Sequence, residues 1–331
     1  MKSGKNYALL DMFLEQPGKF LSGEEISKRL SISRTAVWKQ INKLRGAGYE
    51  FEALPRLGYR MTEQPAPIDP AKLAEGIQGG YFGRQIKVLH STVSTQEDAR
   101  LLAEQGAPEG TVVLAEEQTG GRGRMGKAFF SPYGKGIWMS LILRPKQPVH
   151  LAQQLTLLAG VAIRRAILKT TGIEAGIKWP NDLLVDGKKV CGILLESATE
   201  DDMVRYCIAG IGISVNLKDE DYPDELRPIA TSLKTALGSS VNRNDLIISI
   251  LHEMESLYGL YNEEGFQLIA SLWETSSITM NRAVSVHSAG GVLSGTAEGL
   301  HPSGALLVRT DAGELVPVFS GDIRLKPANE K

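Results

Sequence analysis

At 331 residues, with 42% hydrophobic and 23% charged residues and a net charge of −1, the chain is that of a globular protein too long for one ordinary core, and two or three domains are the natural count. The N-terminus Met1-Lys-Ser-Gly-Lys-Asn-Tyr7 lacks the apolar core of a signal peptide, and no apolar run reaches the roughly 18 residues of a membrane span, so a cytoplasmic location without membrane contact is expected. Cys191 and Cys207 sit in apolar runs without metal spacing and read as reduced core residues.

The charge is unevenly spread. Residues 1–64 hold eleven Lys and Arg against seven Asp and Glu, while the rest of the chain holds twenty-six against thirty-one. A small basic domain therefore precedes a mildly acidic body. Within it, Leu9, Leu10, Phe13 and Leu14 fall on one face of a helix over 5–15, and Pro17-Gly18 ends that helix. Ser22-Gly-Glu-Glu25 is a capping box ahead of a short helix to Leu30. Ser33 caps a second helix from Arg34 to about Arg45, with Val37, Ile41 and Leu44 inward and Arg34, Thr35, Trp38, Lys39 and Asn42 towards solvent. Two helices, a tight turn and a basic outer face make a helix-turn-helix. The hairpin that follows, with Pro55-Arg56-Leu57-Gly58 at its tip, is the wing of a winged helix. Between Lys28 and Arg60 there are eight basic and two acidic residues, so recognition helix and wing can both reach phosphates; a protein-interaction module with a solvated basic face would share the charge.

Three prolines in Gln64–Pro70 mark a stiff linker. Beyond it, strands are expected at 86–91, 111–117, 136–143 and 205–216. Helices are expected at 94–106, at 151–169 with one apolar face, at 244–261 and at 265–272. Asp186-Gly187 between two apolar runs is a two-residue hairpin turn, and it sets Lys189 across from the end of the Lys178-Trp-Pro-Asn-Asp182 segment. From Ala283 short strands with Gly and Pro turns predict a small β-barrel.

The stretch Gln118-Thr-Gly-Gly-Arg-Gly-Arg-Met-Gly-Lys127 packs four glycines and three cations into ten residues, the composition of a phosphate cradle. It satisfies Gly121-x-Gly123-x-x-Gly126, yet no helix can follow through Ser131-Pro132, and no acid occurs between Glu117 and Glu174 for a ribose. It is also a P-loop without its hydroxyl, because Ala128 stands where Ser or Thr would bind Mg²⁺. The acid-free run from Gln118 to Ile173 carries nine Lys and Arg, which keeps an anion as the expected ligand; a mobile basic surface loop has the same composition.

Gly121-Arg-Gly-Arg-Met-Gly126, Lys178-Trp-Pro-Asn-Asp182, Lys189-Val-Cys-Gly-Ile-Leu-Leu-Glu196 and Gly210-Ile-Gly-Ile-Ser-Val-Asn216, in that order, resemble the biotin protein ligases; with a winged helix in front, the resemblance is to the bifunctional bacterial class that also represses the biotin operon. It covers nearly the whole chain. It implies an α+β multidomain fold: a winged helix-turn-helix at 1–64, a class II synthetase-like mixed sheet flanked by helices at 65–274, and an SH3-like barrel at 275–331. It implies biotin and MgATP as substrates, a biotinyl-5′-adenylate intermediate, and transfer to a lysine of a biotin carboxyl carrier protein. It further implies operator DNA as a partner and a homodimer promoted by the adenylate.

By the same resemblance, Ser94, Thr95, Gln96, Gln118, Gly123 and Gly192 contact biotin together with Arg122, Arg124 and Lys189. Ser94 or Thr95 also reads as a plain N-cap with an acid three residues on. Arg124, Lys127, Phe129, Asn181, Asp182, Lys189, Ser214 and Asn216 are implied for the nucleotide, with Asp182 the candidate Mg²⁺ ligand. The catalytic set is Lys189, Arg124, Arg122 and Asp182, which suits a reaction joining two anions. The turn at Asn181-Asp182 is equally a strand cap, and Trp179 and Pro180 read as scaffolding. Operator contacts fall on Ser33, Arg34, Thr35, Trp38, Lys39, Asn42 and Arg56. Three positions depart from the family pattern: Ser214 for an asparagine, Met125 for an arginine and Phe129 for a tryptophan. An adenylate sensor without chemistry and a lipoate or octanoate ligase are the competing classes. Retention of Arg124 with Lys189 disfavours the first, and the match of the motifs to biotin ligases disfavours the second.

Overall fold

The computed structural model describes residues 4–46, 48–64, 66–288 and 291–325; the outer ends of the expected first and third domains, and Pro65 of the expected linker, lie outside the described residues. The chain divides into two compact units, Met1–Pro67 with Pro132–Lys135, and Ile68–Ser131 with Gly136–Lys331.

In the smaller unit, α1 (Gly4–Leu14), α2 (Gly23–Leu30) and α3 (Arg34–Gly46) precede a hairpin of β1 (Glu50–Leu54) and β2 (Gly58–Glu63). Leu9, Phe13, Leu21, Ile26, Val37, Ile41, Leu44 and Phe51 form its core. Ser22 caps α2 by accepting from the Glu25 amide, and Ser31 leaves it in the left-handed region, which turns the chain sharply into α3. Leu21 and Tyr59 exchange main-chain hydrogen bonds of 2.8 and 2.9 Å, which fixes the wing to the chain before α2. Gly58 permits this approach, since a Cβ there would lie 2.1 Å from the Leu21 carbonyl oxygen.

The larger unit opens with α4 (Pro70–Gly76), capped by Asp69, which propensity in the proline-rich linker had not suggested. Next come β3 (Ile86–Leu89), α5 (Thr95–Glu104), β4 (Val112–Ala115), β5 (Gly136–Leu143), α6 (Gln153–Thr171), β6 (Gly176–Lys178), β7 (Asp182–Val185), β8 (Lys188–Glu200), β9 (Met203–Ser214), α7 (Leu233–Leu237), α8 (Arg243–Glu264) and α9 (Phe266–Ser276). The strands form one sheet in the order β3-β4-β5-β9-β8-β7-β6, parallel only between β3 and β4. Helix α6 was expected to bury one face. It buries nearly its whole circumference, because it runs between the sheet and the helices α8 and α9. Together with the turn before it, the stretch Val149–Thr171 is long and apolar enough to cross a membrane by length and composition, contrary to the sequence reading, but 72% of its most apolar part is buried inside the protein.

Alternation along the central strands sets what each sheet face carries. Ile137, Met139, Leu141, Cys207, Ala209, Ile211, Ile213, Cys191 and Ile193 join the core with α6 and α8. The intervening residues point to the opposite face. There α5 covers Ile142, Tyr206 and Ile208 at one end. On the same face Ser140, Gly192, Gly210, Gly212 and Ser214 are small and leave a depression, bounded by Trp138, which packs with Leu217 and Tyr222.

The C-terminal strands β10 (Ala283–Ser288), β11 (Gly291–Leu300), β12 (Leu306–Arg309), β13 (Leu315–Val318) and β14 (Asp322–Leu325) form an antiparallel sheet in the order β13-β12-β11-β10-β14. Where a barrel was expected, no pairing joins β13 to β14 among the described residues, and the sheet is open. Its apolar face shares the core of the larger sheet through Val284, Val286, Leu306 and Val308. Trp179, which follows β6, donates from its ring nitrogen to the Gly304 carbonyl at 3.3 Å and from its amide to Thr279 Oγ1 at 3.0 Å, so the Trp179–Pro180 segment, joined by a cis peptide, ties the two sheets together.

Candidate functional site

A cleft of about 540 Å³ lies over the small-residue face, lined by the glycine stretch, the start of α5, the β7–β8 hairpin, the 222–230 loop and Gly321-Asp322. The glycine stretch is a narrow hairpin. Gly123 N donates to Lys127 O at 2.7 Å and Phe129 N to Gly121 O at 2.8 Å, with a turn of 3₁₀ helix over Arg124–Gly126 whose apex, Met125, is left-handed and 78% exposed.

At one end of the cleft the buried polar groups satisfy one another. Ser94 caps α5 by accepting from Gln96 N at 3.3 Å, the structural role weighed for it above. Gln118 Oε1 accepts from Thr95 N at 2.9 Å, Gln118 Nε2 donates to Ser131 Oγ at 3.0 Å, and Thr95 Oγ1 shares a hydrogen bond with Ser140 Oγ at 2.8 Å. Gln96 sends both amide protons to main-chain carbonyls of Leu194 and Ile208 and accepts from Ser140 Oγ. Ser140 escaped the sequence reading, although a serine inside Ile137-Trp-Met-Ser-Leu-Ile-Leu143 was a visible signal: a hydroxyl buried in an apolar strand must find polar partners.

At the other end the ionic groups meet. Lys189 Nζ lies 2.6 Å from Asp182 Oδ1, close but not aligned as a hydrogen bond, and 5.7 Å from the Phe129 ring centre. The hairpin delivers this contact: Asp186 and Gly187 are left-handed, and a register shift between Leu183 and Leu184 brings Lys189 opposite Leu184. Arg124 donates to Asn181 Oδ1 at 3.2 Å, while Asn181 Nδ2 donates to Ile193 O at 2.8 Å. Burial lowers the Arg124 pKa, and the carboxylates of Asp182 and Asp322 oppose that shift. A guanidinium cannot lose its proton in this range, so the partial desolvation makes Arg124 a stronger partner for an incoming anion.

Three predicted residues are otherwise engaged. Arg122 pairs with Glu97 of α5 at 2.7 Å on the rim. Lys127 pairs with Asp322 at 2.7 Å, an acid 195 positions away that the sequence reading missed. The hydrogen bond from Lys127, then the nearby charges of Lys178 and Arg124, hold the Asp322 carboxyl below the usual aspartate range. Asn216 is not among the cleft-lining residues; its side chain both donates to and accepts from the Val241 main chain, at 2.9 Å each. Ser214 does line the cleft and is buried. Because the Arg122–Glu97 pair is half exposed, Glu97→Ala is expected to change unfolding stability by less than about 1 kcal/mol in a denaturant titration. A larger loss would mean that the pair braces α5.

In the smaller unit, Ser33, Arg34, Thr35, Trp38, Lys39 and Arg56 are all exposed and Asn42 is half-buried. Ser33 Oγ accepts from Ala36 N, Arg34 pairs with Glu24 at 3.0 Å, and Asn42 accepts from Arg45. Trp38 stands on the same face, 53% exposed.

Comparison with known proteins places three regions of the chain in known families. The Biotin/lipoate A/B protein ligase family matches residues 86–214, an HTH domain residues 6–60, and the Biotin protein ligase C terminal domain residues 279–326. The bifunctional ligase/repressor BirA of Bacillus subtilis (strain 168) is 43% identical over 326 residues, 98% of this chain and 100% of the relative, and that of Escherichia coli (strain K12) is 31% identical over 95% of both. Among solved structures, the biotin protein ligase of Aquifex aeolicus in complex with biotin and ATP superposes with a TM-score of 0.64 and 29% identity, over 74% of this chain and 100% of that one. The chain belongs to the biotin protein ligases, in their bifunctional ligase/repressor family.

Proposed function

We propose that the chain forms biotinyl-5′-AMP from biotin and ATP, transfers the biotinyl group to a lysine of a biotin carboxyl carrier protein of acetyl-CoA carboxylase, and represses biotin genes with the adenylate as corepressor. The observation that carries this reading is the convergence of Lys189, Arg124 and Asp182 at one end of a cleft whose other end is the uncharged network of Thr95, Gln96, Gln118 and Ser140. A ligand with a neutral polar ring at one end and an acyl phosphate at the other matches that division.

Attack of the biotin carboxylate on the α-phosphorus forms the C–O–P link and expels pyrophosphate. Both reactants are anions, so cations fixed in advance lower the barrier, and the Lys189 ammonium and Arg124 guanidinium take that role. In the second step a neutral carrier lysine attacks the acyl carbon and AMP leaves; Asp182 is the base within reach of the same point. Ser214 and Phe129 bound the nucleotide side, and Arg122 and Lys127 become available to phosphates once they leave Glu97 and Asp322. Mg²⁺ in such sites takes one or two carboxylates and completes its shell with substrate oxygens. Asp182 would offer its carboxylate to the ion once the Lys189 ammonium, now 2.6 Å from Oδ1, turns to the phosphates, and the ion would supply further neutralisation there. The test is labelling of a carrier domain with biotin, required to depend on both ATP and Mg²⁺.

Repression rests on α3 and the wing. We assign Ser33, Arg34, Thr35, Trp38, Lys39, Asn42 and Arg56 to the operator, 1–64 to the DNA-binding domain, 65–274 to the ligase domain, and 275–331 to an SH3-like C-terminal domain. A two-fold operator calls for a homodimer, promoted by the adenylate, in the cytoplasm. Arg56→Ala is expected to weaken operator binding and to lower the slope of log K against log salt by about 1 in gel-shift titrations, with or without a matched sequence. An unchanged slope removes the wing from the interface.

A further inference from the structure

Behind the cleft, outside every residue assigned above, lies a buried ion pair. Arg243, in the first turn of α8, is 2% exposed and donates to Glu116 Oε2 at 2.7 Å and to the Gly136 carbonyl at 3.0 Å. Glu116 stands directly after β4 and Gly136 begins β5. The segment between them is the glycine hairpin, so a single guanidinium bridges both of its stems. The second carboxylate oxygen, Glu116 Oε1, accepts from Ile68 N at 2.7 Å, and the next amide, Asp69 N, donates to Asn244 Oδ1 at 2.9 Å. The end of the linker is thus fastened to the same acid that fastens the base of the loop.

We propose that Glu116 and Arg243 are positioning residues for adenylate formation and retention: the pair fixes the spacing of the loop stems, and with it the placement of Gln118 and Arg124, while the shared carboxylate joins loop base and linker end into one unit. This rests on the ligase reading. Stability alone does not call for the pair, since buried ion pairs can be replaced by apolar residues of similar volume at little net loss. What apolar residues cannot do is donate to two defined acceptors at once, which Arg243 Nη1 does from an almost fully buried side chain. A hairpin with four glycines has many conformations of similar energy, so it presents its cations in one geometry only if its ends are set.

The full-length chain would be compared with the double variant Glu116→Leu/Arg243→Met and with Arg243→Lys. The readings are the thermal midpoint, kcat and KM for biotin and ATP in adenylate synthesis, and the rate at which adenylate escapes. The double variant also takes these partners from the Ile68 amide and the Gly136 carbonyl, so its midpoint is expected to fall by several degrees, while in the folded protein adenylate escapes about tenfold faster and the biotin KM rises about tenfold, the scale of a small misplacement of reacting groups. Arg243→Lys keeps the charge, but its ammonium ends one bond short of the point where Nη1 meets both acceptors, and it is expected to lie between; it also carries the test should the double variant fail to fold. Escape and KM within twofold of wild type in a folded variant would overturn the inference. A wild-type chain that forms no adenylate overturns the ligase reading and the inference with it, whereas normal synthesis beside unchanged variants overturns the inference alone.

Discussion

Lys189→Ala is expected to slow adenylate formation by about 10²–10³-fold at saturating biotin and ATP, the scale of losing one fixed electrostatic partner of a developing charge. The position of this ammonium is over-determined. The Lys189 amide donates to Ile229 O at 2.8 Å and its carbonyl accepts from Thr231 N at 2.9 Å, which locks the backbone on the 222–230 loop. The side chain then lies over Gly192, where a Cβ would come 2.9 Å from both Cε and Nζ. Removing the ammonium leaves the Asp182 carboxylate in the cleft with one cation fewer beside it, so an incoming anion meets added repulsion as well as a lost attraction. Lys189→Arg is not expected to restore the rate, because a planar fork differs in reach and hydration from a compact ammonium. The neighbouring Lys188, whose ammonium donates to the Arg227 carbonyl, serves as the control: Lys188→Ala should lie within about 0.5 kcal/mol of wild type in both stability and transition-state energy. Single-turnover synthesis of labelled adenylate separates the two. A Lys189→Ala rate within threefold of wild type would remove the proposed mechanism.

Gly212→Ala is expected to be nearly as damaging, through space rather than charge. Gly212 of β9 and Gly192 of β8 are cross-strand partners, and together they form a flat patch on which the Phe129 ring rests. A Cβ on Gly212 would lie 2.4 Å from Cε1 and 2.7 Å from Cζ of that ring, so the ring must leave or the strand must shift. Overpacking of this kind costs about 1–3 kcal/mol, which corresponds to roughly 5- to 150-fold in kcat/KM if it falls on the bound state. The double variant Gly212→Ala/Phe129→Ala should recover part of the loss, because the clash needs both partners. Strictly additive effects in the cycle would show that the damage lies in the sheet and not in the ring.

Much of the framework follows from local rules that a single sequence carries. The capping serine of α2, the Asp186-Gly187 turn and the strands that feed and leave the glycine stretch all depend on residues within a few positions of one another, and the structure has each of them. The four motifs in order were enough to name the family, and the relatives agree. Even the floor of the cleft is written in Gly210-x-Gly212-x-Ser214, since a strand alternates its faces whatever it packs against. The open C-terminal sheet is the coarser outcome of the expected barrel. Short strands and turns announce pairing, but closure depends on strand tilt and stagger, to which no local signal corresponds.

What only the tertiary structure decided is which polar groups answer one another. Arg122 read as a free cation until Glu97 proved to stand beside it, and Lys127 likewise until the C-terminal sheet supplied Asp322. Asn216 carries the right residue type in the right motif, yet it turns to the Val241 backbone, because the chain leaves the sheet after Ser214 and its amide must be satisfied where it lands. The Glu116–Arg243 bridge joins residues 127 positions apart and had no pattern to betray it. Period and propensity depend on the backbone and are local, so the sequence by itself determined the elements, the motifs and the family. Hydrogen bonds and ion pairs depend on distances of a few ångströms between residues far apart in the chain, and folding alone sets those.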